Sequence, residues 1–111
     1  MESIIEKRHP PWIINLNSIP GSISIRIKNI NSIDDIYENS FTLKKLQKSK
    51  VFSNKKNTKD IIKGIIYFIE QNKITYEKND NIIKFILTSY NKRVLELTLN
   101  KIFNNEKKLI I

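Results

Sequence analysis

A chain of 111 residues, 40% hydrophobic and 28% charged, is long enough for one packed core and too apolar for a disordered tail. Its net charge of +9 favours polyanionic partners such as RNA, DNA or an anionic lipid surface. The absence of cysteine excludes disulfides and thiolate zinc sites, and no apolar run approaches the roughly 20 residues that span a bilayer.

Residues 1–21 read as an extended arm. The segment Met1 to Arg8 lacks the apolar stretch of a signal peptide, and Glu2 and Glu6 argue against a transit peptide. A soluble intracellular protein, in the cytoplasm or an organelle, is therefore expected. Pro10 and Pro11 forbid a helix, because each fixes its own φ and Pro11 drives Pro10 into extended geometry. Ile13, Ile14, Leu16 and Ile19 give the arm enough apolar surface to lie on the body. Pro10, Pro11 and Trp12 are the residues expected to dock into a neighbouring protein.

Residues 22–111 are expected to form a single basic α+β domain. Ile23, Ile25 and Ile27 alternate with Ser24, Arg26 and Lys28, the period of a half-buried strand. Tyr37 to Thr42 is read as a short second strand. Ser40 or Thr42 caps a short helix over residues 43–50, with Leu43 and Leu46 facing inward. After a loop over Ser53 to Asn57, Asn57 or Thr58 caps a longer helix over 59–71, and Asp60 sits favourably in its first turn. Its inward positions are Ile62, Ile65, Ile66 and Ile69, Gly64 weakens it by about 1 kcal/mol relative to Ala, and Asn72 ends it.

Strands are expected at 74–78 and 82–88, joined by a tight turn through Asn79 and Asp80. Apolar residues on both faces of 82–88 mark a central strand. Residues 94–103 are open to two readings: Leu95, Leu97 and Leu99 alternate as in a strand, whereas Val94, Leu95, Thr98, Leu99, Ile102 and Phe103 fit one helix face. The strand is preferred. Residues 102–111 are read as a short helix with an apolar end. The expected fold is thus α+β: a small, mostly antiparallel sheet, made of an N-terminal strand and a C-terminal β-meander, with two helices packed on one face and the arm extending from it.

Catalytic equipment is not recognisable. His9 is the one histidine and stands in the arm without a nucleophile or an orienting carboxylate nearby in sequence. Asp34 and Asp35 are adjacent, with Glu38 beyond them, but nothing supplies converging ligands for a magnesium ion, and Asp80 lacks the spacing of a calcium loop. Gly21 and Gly64 alone cannot build a phosphate-cradling loop. The expectation is a protein that is not an enzyme and has no metal, no cofactor and no small-molecule substrate.

The basic segment says more. Between Leu43 and Lys63 lie eight lysines, Lys44, Lys45, Lys48, Lys50, Lys55, Lys56, Lys59 and Lys63, against one acid, Asp60; Lys92 and Arg93 follow later. Phosphate recognition needs point charges more than an exact constellation, so this distribution suits contacts to an RNA backbone. Trp12, Tyr76 and Tyr90 are the aromatics placed to stack on bases, while Tyr37, Tyr67, Phe41, Phe68 and Phe85 read as core or rim. No GXXG or RNP-type signature is present.

Composition tempers the charge argument. Ile occurs 23 times, Val twice and Ala never; Lys outnumbers Arg 17 to 3; Asn occurs 14 times. Ile, Lys and Asn share A/T-rich codons while Ala and Gly do not, so part of the lysine excess reflects codon bias. The leading expectation is a non-enzymatic ribonucleoprotein component, ribosome-like, contacting RNA (ribosomal RNA above all) and neighbouring proteins, with no membrane partner. The alternative is a protein–protein interaction or adaptor domain whose lysines are compositional.

Overall fold

The computed structural model describes residues 3–103. Among them the chain runs β1 (Ser3–His9), β2 (Trp12–Ile19), β3 (Ser22–Asn29), β4 (Ser32–Thr42), α1 (Leu43–Gln47), α2 (Thr58–Glu70), β5 (Ile74–Asn79), β6 (Ile82–Thr88) and β7 (Val94–Lys101). All strand pairs are antiparallel, and the sheet order is β1-β2-β3-β4-β7-β6-β5. Strand outweighs helix.

The extended arm is corrected. Residues 3–9 and 12–19 are two paired strands, in register from Ser3↔Ser18 to His9↔Trp12. Pro10 and Pro11, joined by a cis peptide, occupy the turn between them. A residue without an N–H is tolerated there because the turn asks nothing of the ladder. The alternation Trp12, Ile14, Leu16 points inward, and all three are buried. The sheet is accordingly larger than the small one expected, and the strand over residues 22–29 is its third, not its N-terminal strand.

The other elements fall close to their predicted places, except that β4 begins at Ser32, five residues before the expected Tyr37, and takes in the segment read as a link. β7 adopts the strand reading of residues 94–103, with Leu97 and Leu99 buried and Glu96 and Thr98 outside. Asn57 caps α2, its Oδ1 accepting from Asp60 N at 2.9 Å. Asn72, in the left-handed region at φ 56°, follows the helix, and Lys73 N returns to Phe68 O at 2.8 Å. α1 stops at Gln47, short of the expected residue 50. Ile102 and Phe103 are not helical, and residues 104–111 of the expected C-terminal helix lie outside the described residues.

Ile61, Ile62, Ile65, Phe68 and Ile69 of α2 share one buried cluster with Ile14 and Leu16 of β2, Ile23, Ile25 and Ile27 of β3, and Ile83, Phe85 and Leu87 of β6. Ile66 is only partly buried. Gly64 faces Phe52: a Cβ there would stand 2.9 Å from Phe52 Cε1, so the close approach of that ring requires the glycine.

The sheet is curled, as its two edges show. Six inter-strand steps of about 4.8 Å would separate the edges of a flat sheet by roughly 29 Å. Yet His9 on β1 and Tyr76 on β5, the two edge strands, share a hydrogen bond of 2.6 Å. The opposite ring nitrogen, Nε2, donates to Asn72 Oδ1 at 2.9 Å, so in the neutral ring Nδ1 accepts the Tyr76 proton. Lys7 on β1 reaches Glu70 at the end of α2. Burial pushes the Tyr76 phenol well above its ordinary pKa.

Candidate nucleic-acid interface

Thr42 ends β4 and caps α1, its Oγ1 accepting from Lys45 N at 3.2 Å. One turn of helix buries Leu46 and leaves Lys44, Lys45 and Lys48 in solvent. The loop that follows is pinned by Phe52, 1% exposed, and by Gln47 Nε2 donating to Lys55 O at 2.8 Å. That anchoring leaves Lys50 and Lys56 exposed and Lys55 half-buried. Lys59 and Lys63 follow one turn apart on the outer side of α2.

The β6–β7 turn adds two more cations. Ser89 N donates to Arg93 O at 2.7 Å, Lys92 N to Ser89 O at 2.9 Å, and Arg93 N to Ser89 Oγ at 3.0 Å. Lys92 takes the left-handed conformation, φ 64°. Arg93 Nη1 then donates to Lys50 O at 3.4 Å, which sets this turn beside the basic loop.

Among the described residues, none of these ten cations lies within ion-pair distance of a carboxylate; the pairs present are Lys7–Glu70, Arg26–Glu38 and Lys78–Asp35. The structure brings Lys50 and Arg93 together through their hydrogen bond, and Lys55 and Lys63 together around one cleft. Lys45 stands apart, its ammonium 5.7 Å from the Phe41 ring in a hollow that also touches Glu96. No shared contact draws Lys44, Lys48, Lys56, Lys59 or Lys92 into the cleft.

The cleft has a volume of about 360 Å³ and lies between the α1–α2 loop, α2 and the β6–β7 turn. Phe52, Gly64 and Phe68 line its inner part, and Lys55, Lys63, Tyr67 and Tyr90 its rim. Tyr90 is 92% exposed and Tyr67 54%. Of the three aromatics expected to stack on bases, only Tyr90 is open. Trp12 and Tyr76 pack against one another instead, centroids 5.7 Å apart, and Trp12 meets the Tyr37 ring edge-on at 6.2 Å.

The docking role expected of Pro10, Pro11 and Trp12 is therefore corrected at Trp12. The prolines are exposed, but the indole is 7% exposed within the core and not presented to a neighbour. Tyr67, assigned above to core or rim, is the aromatic that sequence reasoning missed. The available signal was its place four residues after Lys63, on the polar side of a helix whose other side is Ile61, Ile65, Phe68 and Ile69.

The acidic residues near Asp34 have basic partners of their own. Asp35 is held by Lys78 Nζ at 3.0 and 3.3 Å and by Asn29 Nδ2 at 3.2 Å, and Glu38 accepts from Arg26 Nε at 2.9 Å. Among the described residues no helix is long and apolar enough to cross a membrane. Comparison with protein-family models and with curated proteins finds no match.

Proposed function

We propose that this is a non-enzymatic basic binding protein that contacts RNA phosphates as a component of a ribonucleoprotein, ribosome-like in kind. The observation that carries this reading is the uncompensated charge of residues 44–63, extended by Lys92 and Arg93, with no carboxylate in ion-pair distance among the described residues. Surface lysines without an ion-pair partner hold counterions that a phosphate backbone displaces, which is the source of sequence-independent affinity. Both helices are read as lying against one face of the sheet, supported by the shared burial of α2 and strand side chains. The lack of cysteine fits a reducing intracellular compartment.

The test replaces Lys44, Lys45, Lys48, Lys55 and Lys56 with Gln, lowering the net charge of +9 by five. Folding should hold, because exposed substitutions change stability by within about 0.5 kcal/mol. RNA association should weaken whatever the RNA sequence, and the slope of log affinity against log salt should flatten. An unchanged affinity and slope would transfer support to a protein-interaction role. The specific observation on that side is the edge strand β1, where Ile4 is 67% exposed.

A further inference from the structure

The lysines account for affinity toward any phosphate backbone, but not for the open aromatics beside them. Tyr90 stands at the tip of a turn closed by three hydrogen bonds of 2.7 to 3.0 Å, so the backbone that carries its ring is set before any ligand arrives. At 92% exposure the ring has no packing role to explain it. The Lys73 ammonium sits 4.5 Å from the Tyr90 centroid, a cation–π contact that occupies one face of the ring. Tyr67 rises from α2 on the same rim, held edge-on by Phe68 with centroids 6.3 Å apart. Gly64 contributes no side chain to the cleft, whose inner part is lined by the Phe52 and Phe68 rings.

From this arrangement we infer that the cleft is a subsite for an unpaired nucleotide of single-stranded RNA. The base stacks on Tyr90, with Tyr67 at its far edge, and the adjoining phosphate lies between Lys55 and Lys63. Asn54, also on the rim, offers both a donor and an acceptor to a base edge. The volume of about 360 Å³ falls at the low end of the roughly 300 to 1,000 Å³ of small-molecule clefts, which suits one nucleotide and not a helix of paired bases. Bases inside a duplex have no face to offer, so the subsite selects single strands. The inference rests on the RNA-binding reading above and adds a preference that the lysines alone do not give.

The experiment compares two labelled RNAs of equal length, an unstructured A-rich single strand and a blunt duplex, by fluorescence anisotropy at two salt concentrations. Tyr90→Ala and Tyr67→Ala are measured beside the unmodified protein, with Tyr90→Phe as the conservative control. Stacking is worth about 1–3 kcal/mol per base, so Tyr90→Ala should weaken single-strand binding by about 5- to 150-fold. Tyr90→Phe should retain it, duplex binding should not change, and the salt slope should stay the same, since no phosphate contact is removed. A Tyr90→Ala variant that binds both RNAs as the unmodified protein does would overturn the subsite and leave the lysine reading intact. Failure of the unmodified protein to bind either RNA at low salt would overturn both, and would point to a protein ligand for the same surface.

Discussion

Asp35 sits in the sheet at 7% exposure, and two opposing effects act on its carboxyl. Burial raises its pKa, while Tyr37 close by and hydrogen bonds from Lys78 and Asn29 lower it; the second set wins, and the group lies below its ordinary 3.8. The Tyr37 hydroxyl has no hydrogen bond of good geometry, but it is near enough to Asp35 and Lys78 to feel both. Because the folded state holds the Asp35 proton less tightly than the unfolded chain, the pair's stabilisation is complete above the unfolded value. It is lost as pH falls through the lower, folded value. Lys78 is shifted upward by its hydrogen bond to Asp35, so its share persists until alkaline pH. Asp35→Asn should therefore destabilise the protein at pH 7 by about 1–2 kcal/mol, discounted because the Lys78 head is half in solvent. The gap to the unmodified protein should close in acid, as urea denaturation at pH 7, 4 and 3 would register. A gap of constant size would assign the loss to packing. The sequence shows Asp35 and Lys78 each beside turn-like residues, but not that they meet, because both helices separate β4 from β5 in the chain and the two strands are not neighbours in the sheet. Gly64 is similar: its cost to the helix is readable, while its reason, the Phe52 ring, comes from the loop before α2.

Strands whose alternation is uninterrupted are the elements that sequence reasoning places well. β3, β6 and β7 each carry three inward apolar residues at period two, and Asn57 and Asp60 mark the start of α2. β1 escapes because its inward face carries Lys7 and His9 beside Ile5, and the partners that satisfy them, Glu70, Asn72 and Tyr76, come from much later in the chain. β2 escapes because Ile13, on the outer face, blurs the pattern of Trp12, Ile14 and Leu16. The same reasoning found the exposed lysines and Tyr90, since solvent exposure is the default for polar turn residues, but not which of them share a cleft. A direct check on the corrected hairpin is amide hydrogen exchange. Ile14 and Leu16, in a strand paired on both sides, should be protected to the level of β6 amides such as Phe85. Exchange at the rate of an unstructured segment would restore the arm.

At the scale of the molecule, the sheet is two meanders joined by a single strand ladder. Every neighbouring pair of strands is consecutive in the chain except β4 and β7, and that ladder holds only Tyr37↔Lys101 and Glu38↔Asn100. Asn39 extends the junction, its Nδ2 donating to Thr98 O at 2.9 Å. The consequence is kinetic. Consecutive hairpins close short loops at little entropic cost, whereas the β4–β7 junction must close the long segment that contains both helices. The junction is thus expected to form after the folding transition state has been crossed. Asn39→Ala, removing one hydrogen bond of about 1 kcal/mol, should speed unfolding about fivefold and leave the folding rate nearly unchanged. A chevron plot in urea separates the two arms, and a slowed folding arm would place the junction in the nucleus instead. If the unfolding arm alone moves, the lifetime of the native state is set at these few residues, where the two meanders part first.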